Sequence, residues 1–99
     1  MFVLELTYTR PLEAVDAVLD EHVAWLKAQF EKGIFLASGR KTPRDGGVIL
    51  AVGADRAAME ALAATDPFSL AGVCEYRITE FTAHTTAPAL AGYREQPPA

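Results

Sequence analysis

Ninety-nine residues, 51% hydrophobic and 22% charged, fit one globular domain and exclude a disordered chain. Nine Lys and Arg against thirteen Asp and Glu leave a net charge of −4, which argues against nucleic acid as a partner, because a phosphate backbone rewards clustered positive charge. The single cysteine, Cys74, excludes an internal disulfide and fits a reducing compartment, and no apolar run approaches the roughly 20 residues of a membrane span.

The opening Met1-Phe2-Val3-Leu4-Glu5-Leu6 carries neither a basic region nor a cleavage site, so the expectation is a cytoplasmic protein without a signal peptide. Phe2 to Tyr8 reads as a strand, closed by the turn Thr9-Arg10-Pro11. Val15, Leu19, Val23, Leu26 and Phe30 recur at three- and four-residue spacing, which predicts one helix of about five turns ended by Gly33. Ile34 to Ser38 is a short strand, Gly39 to Gly47 a basic connection, and Val48 to Val52 an apolar run expected to be a strand buried on both faces. Asp55 caps a second predicted helix that turns Met59 and Leu62 inward.

Asp66-Pro67-Phe68-Ser69-Leu70-Ala71-Gly72 has Asp at an N-cap, Pro at the first helical position and Gly where a helix ends with φ > 0. It is a capped turn that delivers the chain into a last strand, Val73 to Phe81, whose alternation leaves open whether Tyr76 or Glu75 faces inward. The order βαββαβ predicts an α+β, ferredoxin-like domain over residues 1–83: a four-stranded antiparallel sheet with two helices on one face. Two helices cannot cover Leu4, Leu6, Ile49 and Val52 together, which predicts a homodimer through the uncovered apolar surface. Residues 84–99 read as a tail anchored by Leu90 to Tyr93, resting on protein or on the partner chain.

His22 falls on the core side of the first helix, either as a histidine bonded to a carbonyl at the core edge or as a general base. Asp66 is at least a cap, and a carboxylate has a second oxygen with which to orient an imidazole. Ser38 and Gly39 end a strand, with Ser38 suited to hydrogen bonding and Gly39 to a close approach of ligand or to a plain turn. Arg40, Lys41 and Arg44 are either a solvated loop or the cations that receive an anionic ligand. Two histidines 62 positions apart and one cysteine give no metal-ligand spacing, and Gly46-Gly47 leads into a strand, so neither a metal nor a phosphate-bearing cofactor is expected.

Taken together, several pieces resemble the YciI-like (YCII-related) family: Thr7-Tyr8, Glu21-His22-Val23-Ala24-Trp25-Leu26, Gly33 followed by Leu36-x-Ser38-Gly39, Pro43-Arg44-x-Gly46-Gly47-Val48-Ile49-Leu50-Ala51, and Asp66-Pro67-Phe68 with Ala71-Gly72-Val73. The resemblance implies a protomer of the dimeric α+β barrel type and an active site around a His–Asp pair, here His22 and Asp66. Many relatives carry an arginine one turn before the histidine, where this chain has Leu19 and Asp20, and a proline after Ser-Gly, where it has Arg40. A cation from Arg40 or Arg10 is then expected to take the arginine's place. One branch of the family performs dehydrochlorination of chlorinated hydroxyquinols, which needs a base and no cofactor. The implied function is a cofactor-free lyase or hydrolase acting on a small anionic or aromatic substrate, with Ser38, Gly39, Arg40 and Arg44 binding it. The alternative is a non-catalytic small-molecule-binding or dimerisation module.

Overall fold

The computed structural model describes residues 1–95. Four strands, β1 (Phe2–Tyr8), β2 (Phe35–Arg40), β3 (Gly46–Ala51) and β4 (Cys74–Glu80), form one antiparallel sheet in the order β2-β3-β1-β4. This is the ferredoxin-like order, with the first and third strands central. Alternation along β1 sends Phe2, Leu4 and Leu6 to the helix-covered face, where they meet Ile49, Ala51 and Phe35 in the core. The helices are α1 (Leu12–Asp16), α2 (Leu19–Glu31), α3 (Arg56–Ala63) and α4 (Pro67–Leu70), with a 3₁₀ turn at Pro88–Tyr93. No helix among the described residues is long and apolar enough to cross a membrane.

The first predicted helix is two. Val18 leaves helical geometry (φ −119°, ψ 14°), its N–H bonding Val15 O in a tight turn, and α2 restarts behind it. The buried line of α2 is also rotated from the expected stripe. His22 and Gln29 are buried, whereas Val23 and Phe30 are 39% and 38% exposed. Hydrophobic periodicity passes over polar residues, so a face built on a histidine and a glutamine is misplaced by it.

The predicted connection from Gly39 to Gly47 is shorter than expected, because Gly39 pairs with Val48 and Arg40 with Gly47. The ladder thus continues to the tight Lys41–Asp45 segment. Nor is β3 buried on both faces: Ile49 is 2% exposed and Val48 39%, since helices cover only one side. Leu4, Leu6 and Ile49 fit beneath them, whereas Val52 stays only half-buried and outside the core. The opposite face carries Val3, Val48 and Leu50 beside Glu5 and Arg77.

Asp55 caps α3 as expected, accepting from Ala58 N at 2.8 Å, and Met59 points into the core. Beyond β4, Ala83 is buried, and Glu95 N–H returns to Ala83 O at 3.0 Å, closing the segment into a loop. Its Leu90 is half-buried and its Tyr93 39% exposed. Residues 96–99 of the predicted tail lie outside the described residues.

Candidate functional site

Asp66 is where two distant pieces of sequence meet. Its place is set locally: it caps α4, Oδ1 accepting from Phe68 N at 2.9 Å, with Pro67 at the first helical position. Gly72 at φ 69° then turns the chain into β4. The same Oδ1 lies 2.7 Å from His22 Nδ1, which α2 brings down from above, and Oδ2 accepts from the Tyr76 hydroxyl at 2.5 Å. The carboxylate is fully buried and His22 is 8% exposed. A buried charge persists only when hydrogen-bonded, and here three donors from α2, α4 and β4 supply the bonds.

The protonation pattern follows from the donors. A backbone N–H can only donate. The Tyr76 phenol is held protonated, because burial, and after it the Asp66 charge, push its pKa well above the ordinary phenol range. The carboxylate therefore acts as acceptor throughout and takes a proton-bearing Nδ1 from His22, leaving Nε2 as the free lone pair. Phe68 stacks face-on against the imidazole at a centroid distance of 3.8 Å and 6° between planes, which sets the ring's plane.

His22 borders a cavity of about 170 Å³ between α2 and the inner sheet face. Leu19, Val23 and Leu26 of α2 form one wall, Leu6, Tyr8 and Ile49 the floor, and Phe68 the end beside the imidazole. Ser38 and Arg40 enter from the edge strand, two residues apart and hence on one face, and Gly39 also borders the space. Arg40 pairs with no carboxylate among the described residues. Arg44 does not border the cavity. Its guanidinium bonds Asp16 at 2.5 Å and lies 5.9 Å from the Tyr8 ring centroid, and that bond holds the Asp16 carboxyl below its usual range. No cluster of three or more potential metal ligands occurs among the described residues.

Sequence reasoning passed over Tyr8, Phe68 as a stacking partner, and Tyr76. The only signal for Tyr76 was its inward register on β4, opposite Leu6. Cys74, also inward, is a buried packing group. Burial first, then the Asp66 charge, push its thiol up to about 11 from the ordinary 9.0. At pH 8 the folded protein should therefore resist iodoacetamide, with a thiolate fraction on the order of one in a thousand. Urea-unfolded chain should react readily, as followed by mass. A thiol raised in the folded state holds its proton more tightly there, so its stabilisation is complete below about pH 9.0 and lost as pH climbs through 11.

The fold is similar to 5-chloro-2-hydroxyhydroquinone dehydrochlorinase from Burkholderia phenoliruptrix AC1100, solved in complex with 2,5-dihydroxybenzoquinone. The TM-score is 0.68 at 17% identity, over 82% of this chain and 93% of the other. That likeness shows the fold, an α+β domain with one four-stranded antiparallel sheet. Among curated proteins no sequence matches. The YCII-related domain matches residues 1–82, and the chain belongs to that family.

Proposed function

We propose that this protein is a cofactor-free enzyme of lyase type, in which His22 Nε2 removes a proton from a small anionic or aromatic substrate. The observation that carries the reading is the 2.7 Å contact of His22 Nδ1 with a buried Asp66 at the wall of a cavity, because it leaves the imidazole one free basic nitrogen there. Asp66 stabilises the imidazolium formed on proton transfer. Arg40 receives the negative charge of the substrate, Ser38 hydrogen-bonds beside it, and Gly39 leaves room at the edge. Arg44 contributes at longer range through Asp16. A departing anion leaves as Nε2 takes the proton, which balances an elimination without a redox partner. The volume suits one six-membered ring, since an apolar cavity of about 150 Å³ accepts benzene.

The dehydrochlorinase of similar fold supplies the first substrates to try. Chlorinated hydroxyquinols should release chloride, measured by ion electrode, and His22→Asn should cut the rate by roughly 10²–10⁴-fold, the range for a general base. Arg40→Gln should raise KM more than it lowers kcat. Binding of 2,5-dihydroxybenzoquinone with equal affinity in wild type and His22→Asn, with no turnover of any chlorinated ring, would favour the binding-module reading.

The protomer is further proposed to act as a homodimer, joined through the sheet face that bears Val3, Val48 and Leu50. Val48, at 39% exposed on a central strand, is the supporting observation. The loop from Ala83 to Glu95 is proposed to flank this contact. Sedimentation at micromolar concentration should give twice the 10.7 kDa chain mass, and Val48→Asp should shift it to monomer. A wild-type monomer would sink the assembly but not the His22 chemistry.

A further inference from the structure

We propose that Tyr76 is a positioning residue for His22, acting through Asp66: by occupying the second carboxylate oxygen it fixes the imidazole with Nδ1 protonated and Nε2 free toward the cavity. The inference rests on the proposed role of His22 as the base, but its test does not require turnover.

Capping α4 requires one oxygen of Asp66, and Oδ1 provides it to Phe68 N. Were Asp66 only a cap, Oδ2 would be expected to face water. Instead Oδ2 is enclosed and takes the Tyr76 hydroxyl at 2.5 Å from β4, while the whole residue has no exposed surface. The carboxylate is thereby anchored at both oxygens and cannot turn about its last torsion, which otherwise has a broad, two-fold profile. With that plane fixed, an Oδ1 lone pair is aimed at Nδ1 of His22, and the hydrogen bond that Nδ1–H donates to it sets the tautomer and leaves Nε2 without the proton.

The phenol also cannot exchange roles with the acid, since burial and the neighbouring charge keep it a donor. Tyr76 pairs across the sheet with Leu6, which itself borders the cavity, so the tyrosine belongs to the sheet that supports the cavity and not to a loop. A purely structural tyrosine would satisfy a buried acceptor and contribute to stability alone. A positioning tyrosine must also alter the imidazole.

Nitrogen-15 NMR of the histidine ring separates the two. Wild type should show His22 with a protonated Nδ1, an unprotonated Nε2 and a slowly exchanging Nδ1–H resonance. Tyr76→Phe keeps the ring but frees Oδ2, so the two nitrogens should average toward a tautomer mixture and the Nδ1–H signal should broaden. Labelling of His22 by diethyl pyrocarbonate should slow roughly 2- to 10-fold, the worth of one hydrogen bond.

Site-specific 3-fluorotyrosine and 3,5-difluorotyrosine at position 76 are stronger donors that retain the bond. They should restore the single tautomer and, by drawing charge from Oδ1, move the Nδ1–H resonance upfield in order of phenol acidity. A folded Tyr76→Phe with wild-type ring shifts and labelling rate overturns the proposal. So, if that variant fails to fold, does a fluorotyrosine series that leaves the Nδ1–H resonance in place. A locked wild-type tautomer together with absence of turnover on every chlorinated ring would count against the enzymatic reading and still support the positioning role.

Discussion

Replacing Asp66 by Ala is expected to destabilise the protein by about 3–5 kcal/mol, far beyond the loss of a helix cap. The cap alone is worth about 1 kcal/mol. The variant also removes the acceptor of the His22 Nδ1–H, the Tyr76 hydroxyl and the Phe68 N–H in a buried site, and an unsatisfied buried donor costs about 1–3 kcal/mol. For a domain of this size the melting temperature should fall by roughly 15–30 °C. Asp66→Asn keeps a carbonyl oxygen for the cap and for one further donor, so it should lose only about 1–2 kcal/mol while abolishing the fixed tautomer of His22. Urea titrations of both variants check this. Equal, cap-sized losses in the two would reduce Asp66 to its role at the start of α4.

A second large effect is expected at a residue with no side chain. Gly46 sits where β3 meets β1, paired with Thr7, and a Cβ there would stand 1.8 Å from Leu6 O and 2.8 Å from Leu6 C. Those are backbone atoms of a central strand and cannot swing aside, so Gly46→Ala must break the β1–β3 ladder or bulge it. A loss above about 4 kcal/mol is expected, at the extreme of single substitutions. Its neighbour is the control. A Cβ at Gly47 approaches only Gly39 O at 3.0 Å, on an edge strand that can shift by a few tenths of an ångström. Gly47→Ala should therefore fold and lose much less. Circular dichroism and yield of soluble protein measure the contrast, and a Gly46→Ala protein with wild-type stability would overturn it.

What could be read in advance follows from how local each determinant is. The turn at Asp66-Pro67 and the cap at Asp55 were legible because cap, proline and glycine act within a few residues. The strand order emerged from the alternation of elements, which leaves few ways to cover an apolar sheet face. The break at Val18 was not legible, since Val15 and Leu19 keep helical spacing across it. The orientation of α2 was misjudged because its deepest residues, His22 and Gln29, are polar and owe their burial to partners elsewhere in the chain. Of the candidate site, the apposition of His22 and Asp66 spans 44 positions and was supplied by family resemblance, and Arg44 was drawn to Asp16 by a contact between loop and helix that spacing does not encode. Tyr76 was hidden in an ordinary strand pattern.

One oxygen of Asp66 serves both the imidazole and the start of α4. The imidazole and the Phe68 N–H that closes the first turn of a four-residue helix draw on that one atom, so a shift of Asp66 displaces both. The junction leading into β4 and the orientation of the imidazole thus rest on the same side chain, and neither can be re-aimed without the other.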